Sequence, residues 1–145
     1  MKKILYAAVL ALLCFVSCKT DDPDKPVTPT YPDIKGSWEL TSVQAKSASI
    51  GGTAVDVYMT FDGAGAFTLY QRLGSAGHFT MLTGTYTYSE GIVSGKYSGG
   101  TAFGSTYTVT SSSTGYITLT DSTDKEADTY KSISAIPDSV KESVL

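Results

Sequence analysis

Cysteine and histidine are scarce in this chain of 145 residues, which has two cysteines and one histidine. With His78 alone and no pair of cysteines after residue 17, the usual set of metal ligands is missing. Serine is abundant, but no serine lies in the Gly-X-Ser-X-Gly pattern of a hydrolase nucleophile. The acidic residues of 121–128 lack the glycine-centred spacing of a calcium loop. We therefore expect no enzyme, no metal and no cofactor.

Positive charge and long hydrophobic runs are also in short supply. The formal net charge is −3 at pH 7 and there is no basic stripe, which argues against a nucleic-acid partner. The one long apolar run, residues 4–16, is shorter than the ~20 residues that cross a bilayer as a helix. Lys2 and Lys3 precede this run and the small residue Ser17 follows it, as in a cleaved signal peptide over residues 1–17. Loss of the two lysines would change the net charge from −3 to −5.

Cys18 would be the only thiol left after removal of residues 1–17, and this indicates a lipoprotein. Phe15-Val16-Ser17-Cys18 resembles a bacterial lipobox, in which the cysteine becomes the lipid-modified N-terminus. An unpaired cysteine in an exported protein otherwise lacks an explanation. Several acyl chains, such as palmitate, on one residue would anchor the protein firmly in a membrane. The alternative is a plain secretory signal followed by a coincidental cysteine.

Residues 18–33 contain four of the five prolines and no apolar period, so we expect a disordered tether. Asp21, Asp22 and Asp24 resemble the export signal that sends Bacteroidetes lipoproteins to the outer face of the outer membrane. The resemblance implies a cell-envelope protein that is held in the outer membrane by its N-terminal lipid and exposed at the cell surface. The alternative is a solvated linker whose charges only keep it soluble.

The rest of the chain alternates apolar and polar residues with the period of two that is typical of strands. Asp62-Gly63-Ala64-Gly65 separates two such runs and predicts a hairpin. Counting the strand of Trp38, eight strands are predicted, the others being 54–61, 67–73, 78–88, 92–97, 101–110, 116–121 and 127–133. A change of apolar parity predicts a bulge near Gly84. Residues 137–145 form a C-terminal tail or a short helix capped by Asp138.

Eight short strands with brief turns predict an all-β fold, a small antiparallel up-and-down barrel over residues 34–136. Closure of the barrel would remove the exposed edges of strands that are rich in threonine and tyrosine. Trp38, the only tryptophan, stands where the alternating sequence begins, and we expect it to close one end of the barrel. The alternative is an ordinary core position on the first strand.

Several short motifs resemble one known family. Gly36-Ser37-Trp38 is similar to the Gly-X-Trp motif on the first strand of lipocalins. A further set of motifs resembles the lipocalin-like lipoproteins of Bacteroidetes. In chain order these motifs are Phe61-Asp62-Gly63, Gly84-Thr85-Tyr86, Ser94-Gly95-Lys96-Tyr97 and Tyr130-Lys131 followed by Ile136-Pro137. The resemblance implies an eight-stranded lipocalin-like barrel. It also implies that a basic residue of the last strand packs over the motif tryptophan, which by position is Lys131.

The interior of an eight-stranded barrel is just wide enough to be filled by side chains or to hold one small ligand. If the apolar parity points inward, the ligand-binding residues are Met59, Leu69, Tyr86, Tyr97, Tyr107 and Leu119, whereas Tyr58, Tyr70 and Tyr116 face out. The first hypothesis is a binding protein that holds a small apolar or amphipathic ligand. The alternative is a surface interaction module with a filled barrel, which binds glycan or protein through its outward tyrosines and loops.

Overall fold

The computed structural model describes residues 29–43 and 54–145. The predicted signal peptide (1–17), the predicted lipidation site Cys18 and most of the predicted tether lie outside the described residues. Within the two described ranges, every helix is too short or too polar to pass through a lipid bilayer.

Eight antiparallel strands form a closed barrel in chain order, which confirms the predicted fold class. The strands are β1 (Gly36–Val43), β2 (Val55–Phe61), β3 (Ala66–Leu73), β4 (Thr80–Ser89), β5 (Ile92–Tyr97), β6 (Tyr107–Ser113), β7 (Tyr116–Asp121) and β8 (Ala127–Ile133). A short helix, α1 (Asp138–Glu142), follows them. Because β8 pairs with β1, every strand has a neighbour on both sides.

The turn between β2 and β3 shows how the sequence specifies a hairpin. Asp62 Oδ1 accepts hydrogen bonds from the N–H groups of Ala64 and Ala66, at 2.7 and 2.9 Å. Gly63 and Gly65 have φ angles of 78° and 103°, which residues with a side chain rarely adopt. The predicted hairpin is confirmed, and it sets the register in which β2 and β3 present their inner faces.

Strand β4 runs without the predicted bulge. Its register with β3 and with β5 is continuous through Gly84, so this prediction is wrong. The parity of the strand never changes, because Met81 points outward and is 45% exposed, while Leu82 and Tyr86 share the inner face. Phe79 precedes the strand and is buried on the outside of the barrel.

Two glycines on the inner face make room for aromatic rings. A Cβ atom at Gly84 would lie 2.6 Å from the ring of Phe67, and one at Gly95 would lie 2.6 Å from the ring of Phe103. Real Cβ contacts are not this short, so a larger residue at either position would displace a ring. The ring of Phe67 from β3 and the ring of Phe103 from the segment after β5 therefore fill the space that side chains on β4 and β5 would otherwise take.

The segment after β5 differs from the strand predicted over 101–110. Residues 101–103 fold back along β5, where the Phe103 N–H donates to the Gly95 carbonyl at 2.9 Å. As a result β6 begins only at Tyr107, and it pairs with β5 at two positions alone. The strand then continues beyond Thr110 to Ser113, with an irregularity in its pairing to β7.

Trp38 lies at the end of the barrel where β1 begins. Its side chain is 5% exposed, and its Nε1–H donates to the carbonyl of Ile34 at 2.8 Å. Ile34 is itself buried in the same core. The hydroxyl of Tyr88 donates to the carbonyl of Pro32 at 2.7 Å and so fastens the preceding chain to β4. Residues 32–34 thus cross this end of the barrel, which we call the closed end.

Lys131 does not cover Trp38. The register of β1 and β8 pairs Lys131 with Glu39, whereas Trp38 pairs with Ser132. Neighbouring residues of a strand point to opposite faces, and the inward residue here is the buried Tyr130. Lys131 is exposed on the outer face, so the role that the family resemblance implied for it is wrong.

The C-terminal segment covers part of the outer surface. Val140 of α1 is buried together with Phe79 and Ile136, and the half-buried rings of Tyr58 and Tyr70 pack against this cluster. Beyond the helix, the Phe79 N–H donates to the carbonyl of Ser143 at 3.0 Å. The tail is therefore a packed helix and not a frayed end. Asp138 begins it without the predicted side-chain cap, and its carboxylate accepts instead from Lys141 at 3.0 Å.

Replacement of Trp38 by alanine should destabilise the domain strongly. Truncation of a buried tryptophan costs about 3–5 kcal/mol through lost transfer energy and the cavity left behind. That is a large share of the about 5–15 kcal/mol that holds a typical domain together. Thermal and urea unfolding of Trp38→Ala measure the loss, with Met81→Ala as the control at an exposed position. A Trp38→Ala variant that melts together with the parent would show that the ring is peripheral.

Candidate functional site

The barrel contains an interior cavity of about 140 Å³. It is lined by Met59, Phe61, Phe67, Leu69, Val93, Tyr97, Phe103, Tyr107, Leu119, Asp128 and Tyr130. Five of the six predicted ligand-binding residues belong to this lining, namely Met59, Leu69, Tyr97, Tyr107 and Leu119. The sixth, Tyr86, shares their inner face but packs on Phe61 at a ring-centroid distance of 4.8 Å, outside the lining.

Cross-strand pairs bring these residues to one place. Met59 on β2 lies opposite Leu69 on β3, and Leu119 on β7 lies opposite Asp128 on β8. Residues that face each other across an antiparallel pair have side chains on the same side of the sheet. Because both pairs of strands belong to the same closed barrel, residues that are up to about 70 positions apart in the chain converge on the cavity.

Aromatic rings form one wall of the cavity. The ring of Phe103 lies edge-on to Phe67, Tyr97 and Tyr107, at centroid distances of 5.2, 5.3 and 6.3 Å. Edge-to-face contacts of this kind are favourable beyond the area they bury, so they stabilise this arrangement of the rings. Phe103 was not among the predicted site residues, although it shares the odd-numbered parity of Tyr107 and Val109 and could have been found from that pattern.

Asp128 is the only charged side chain in this lining. Its Oδ1 atom is buried and has no hydrogen-bond partner among the residues that the structure describes. Burial raises the pKa of this carboxyl, and the nearby carboxylates of Glu126 and Asp124 raise the pKa further. The cavity thus combines an apolar, aromatic lining with one hydrogen-bond acceptor that is not satisfied. Sequence reasoning missed Asp128, because alternation assigns an acidic residue to the solvent side by default.

Tyrosine hydroxyls add neutral polar groups beside this carboxyl. Burial raises the pKa of Tyr107, and the charges of Asp121 and Asp128 raise the pKa further. Burial likewise raises the pKa of Tyr130. Both phenols therefore keep their protons at neutral pH and can donate a hydrogen bond as well as accept one.

The outward tyrosines do not form one exposed platform. Tyr58 and Tyr70 face out as predicted, but both pack against the cluster of Phe79, Ile136 and Val140. The Tyr58 hydroxyl also donates to Glu39 Oε1 at 3.2 Å. Tyr116 is half-buried and lines an open groove of about 690 Å³ at the closed end, together with Tyr31, which is 43% exposed. Threonine and serine side chains from β6 and its turn complete the groove.

The one histidine of the chain, His78, lines neither the cavity nor the groove. His78 is exposed in the turn before β4, not on the strand where the sequence placed it. In residues 29–43 and 54–145, no three side chains of histidine, cysteine, aspartate or glutamate come together as metal ligands would.

Comparison with known proteins gives one match. The model of a family described as a lipocalin-like domain matches residues 34–123, which is more than half of the chain. The matched range begins at the buried Ile34 and includes seven of the eight strands, whereas β8 and α1 lie beyond it. The search of curated proteins and the search of solved structures found no match.

Replacement of Asp128 by asparagine should make the stability of the domain less dependent on pH. Because the pKa of Asp128 is raised in the folded state, its ionised form opposes folding above that pKa. The variant should therefore unfold at a higher temperature than the parent at neutral pH. Its advantage should shrink as the pH falls through the folded-state pKa towards the ordinary value of about 3.9. Thermal unfolding between neutral and acidic pH measures this difference.

Asp62→Asn is the control of opposite sign. Hydrogen bonds from the backbone of Ala66 and Ala64 lower the pKa of Asp62, so its ionised form favours folding. This variant should be less stable than the parent at neutral pH, and the difference should shrink as the pH falls below the ordinary pKa and vanish below the lowered pKa of the folded state. If Asp128→Asn followed the same course as Asp62→Asn, the burial of the Asp128 carboxyl would be contradicted.

Proposed function

Because the chain belongs to the lipocalin-like domain family, we propose that it is a lipid-anchored binding protein of the cell envelope that holds one small apolar or amphipathic molecule inside its barrel. The observation that carries this proposal is the interior cavity, which is lined by Leu69, Tyr97, Phe103 and Tyr107 among others. A concave, mostly apolar site with a few polar groups is the usual host for a small molecule.

The volume of the cavity limits what it can enclose. A dry engineered cavity of about 150 Å³ with an apolar lining binds benzene. The 140 Å³ in this barrel therefore suits a single ring or an aliphatic group of similar size. A larger ligand would have to leave part of its body outside the barrel or displace a lining ring such as Phe103.

A second candidate function rests on the groove at the closed end. Tyr31 and Tyr116 line it together with several threonine and serine hydroxyls, which is a surface suited to a glycan or a polar peptide. This alternative was expected to accompany a filled barrel and a cluster of exposed tyrosines. Since the barrel contains a cavity and Tyr58 and Tyr70 are covered, the observations favour the interior ligand.

The proposed anchor is acylated Cys18 in the outer membrane, with the barrel displayed at the cell surface. This part of the proposal depends on the lipobox-like residues and the acidic residues that follow them. The fold is compatible with it, because residues 31–34 join the barrel at the closed end. An anchor on the preceding chain would leave the opposite end, where β8 begins, farthest from the attachment point.

Replacement of Leu69 by tryptophan should abolish ligand binding without unfolding the domain. The larger ring would occupy space that is empty in the parent, whereas enlargement of a filled core costs about 1–3 kcal/mol. The probe is toluene, because its size fits the cavity. Nuclear magnetic resonance titration should show one binding site in the parent and none in Leu69→Trp, with little change in melting temperature.

Thr68→Trp is the matched control for this experiment. Thr68 precedes Leu69 on β3 and points to the outer face, so the same ring is added outside the cavity. The control should bind toluene like the parent. A parent that fails to bind toluene, combined with a destabilised Leu69→Trp, would mean that the interior is filled and that the function lies on the outer face.

Cys18→Ala should lose its acyl label. Cells that express the protein are grown with a clickable fatty acid, and the label on the purified protein is measured. The matched control is Cys14→Ala, which should keep the label because Cys14 lies inside the proposed signal peptide. Retention of the label by Cys18→Ala would refute the proposed anchor and would leave the binding function of the barrel untouched.

A further inference from the structure

The Oδ1 atom of Asp128, which is buried without a hydrogen-bond partner among the residues that the structure describes, narrows the class of ligand. An acceptor that is buried away from water without a partner weakens the folded state, so a ligand that supplies a donor at this point gains more than an apolar ligand of the same size. The rest of the lining is apolar or phenolic. The feature that most distinguishes this cavity from a plain hydrophobic one is therefore its single carboxylate.

We propose that the cavity takes a compact amine, in which an N–H group binds Asp128 and an apolar body of about one ring lies against Phe103, Tyr97 and Leu69. This inference rests on the proposed function, because it names the chemical class of the molecule that the barrel holds. The ligand would enter as an ammonium ion and form a charge-assisted hydrogen bond, which is stronger than a neutral one.

The charges around the cavity favour a cation over an anion. Asp121, Asp124 and Glu126 lie in or beside the turn between β7 and β8, at the end of the barrel where Asp128 is located. The one basic residue of this turn, Lys125, donates from its Nζ to the carbonyl of Ser122. A carboxylate ligand would meet four acidic groups, whereas an ammonium ion would be attracted to them.

The aromatic wall favours the same class of ligand. The faces of aromatic rings carry partial negative charge and attract a cation that lies within about 6 Å of the ring centre. The rings of Tyr97, Phe103 and Tyr107 belong to the same lining as the carboxyl, and Tyr107 lies near enough for the charge of Asp128 to raise its pKa. A protonated amine can therefore contact both the carboxylate and a ring, whereas an alcohol can use only the hydrogen bond.

The raised pKa of Asp128 agrees with this assignment. Burial and the neighbouring acidic groups disfavour the ionised carboxylate in the empty cavity. The groups that face it from β6 and β8 are the phenols of Tyr107 and Tyr130, and neither is a cation. An ammonium ion in the cavity would supply the missing positive charge and stabilise the ionised form.

The test compares three probes of nearly equal size, which are benzylamine, benzyl alcohol and toluene. Each is titrated into the purified protein at neutral pH by calorimetry and nuclear magnetic resonance. Benzylamine should bind to one site at least about tenfold more tightly than toluene, and more tightly than benzyl alcohol, as expected for one charge-assisted hydrogen bond. If toluene binds and benzylamine binds no more tightly, the amine assignment is overturned and the binding function stands. If none of the three binds, both proposals fail.

Two variants locate the preference. Asp128→Asn should remove the advantage of benzylamine over toluene, because the negative charge that strengthens the hydrogen bond to the ammonium group is lost. Asp124→Asn changes the net charge equally, but Asp124 is exposed in the turn outside the lining, so it should keep the preference. Equal loss in both variants would show that the general negative field attracts the amine, and the assignment to Asp128 would be wrong. The comparison of probes on the parent decides the class of ligand even if Asp128→Asn does not fold.

Discussion

The space inside a closed eight-stranded barrel is nearly constant, and the rest of this structure depends on how that space is divided. Strand number and tilt determine the diameter, so every inward side chain competes for the same volume. Gly84 and Gly95 have no side chains, and the rings of Phe67 and Phe103 occupy the space that side chains at these two positions would fill. The rings meet edge to face and leave about 140 Å³ between themselves and β2, β7 and β8. The cavity is thus a result of where the glycines lie as much as of where the rings lie.

The sequence predicts this architecture well wherever one face of a strand is apolar and the other is polar. Met59, Leu69, Tyr97, Tyr107 and Leu119 were assigned to the interior by parity alone, and all five line the cavity. The same rule fails where both faces are buried. Phe79 lies on the outer face and is buried there by the C-terminal segment. Phe79 and Met81 are therefore two apolar residues on the outer face, and their alternation suggested a change of parity and a bulge that the structure does not contain.

Other features depend on long-range contacts that a pattern of period two does not contain. Parity alone places Phe103 on the inner face, but it does not show that residues 101–103 fold back along β5 or that the strand begins only at Tyr107. The position of Lys131 was inferred from a family motif, whereas the register is decided by Tyr130, the large residue that takes the inner position. Asp128 shares the parity of Tyr130 and faces inward with it. A polar residue two positions from a large aromatic residue, on the same face of the strand, is therefore the signal that could have revealed Asp128.

The two ends of the barrel differ in a way that bears on how a ligand would reach the cavity. At the closed end, Trp38 and Ile34 fill the interior and the chain from residue 32 crosses above them. Asp128 lies at the other end, opposite Val43 of β1, with the acidic turn between β7 and β8 beside it. A cationic molecule would therefore meet negative charge first at the end nearer to the cavity.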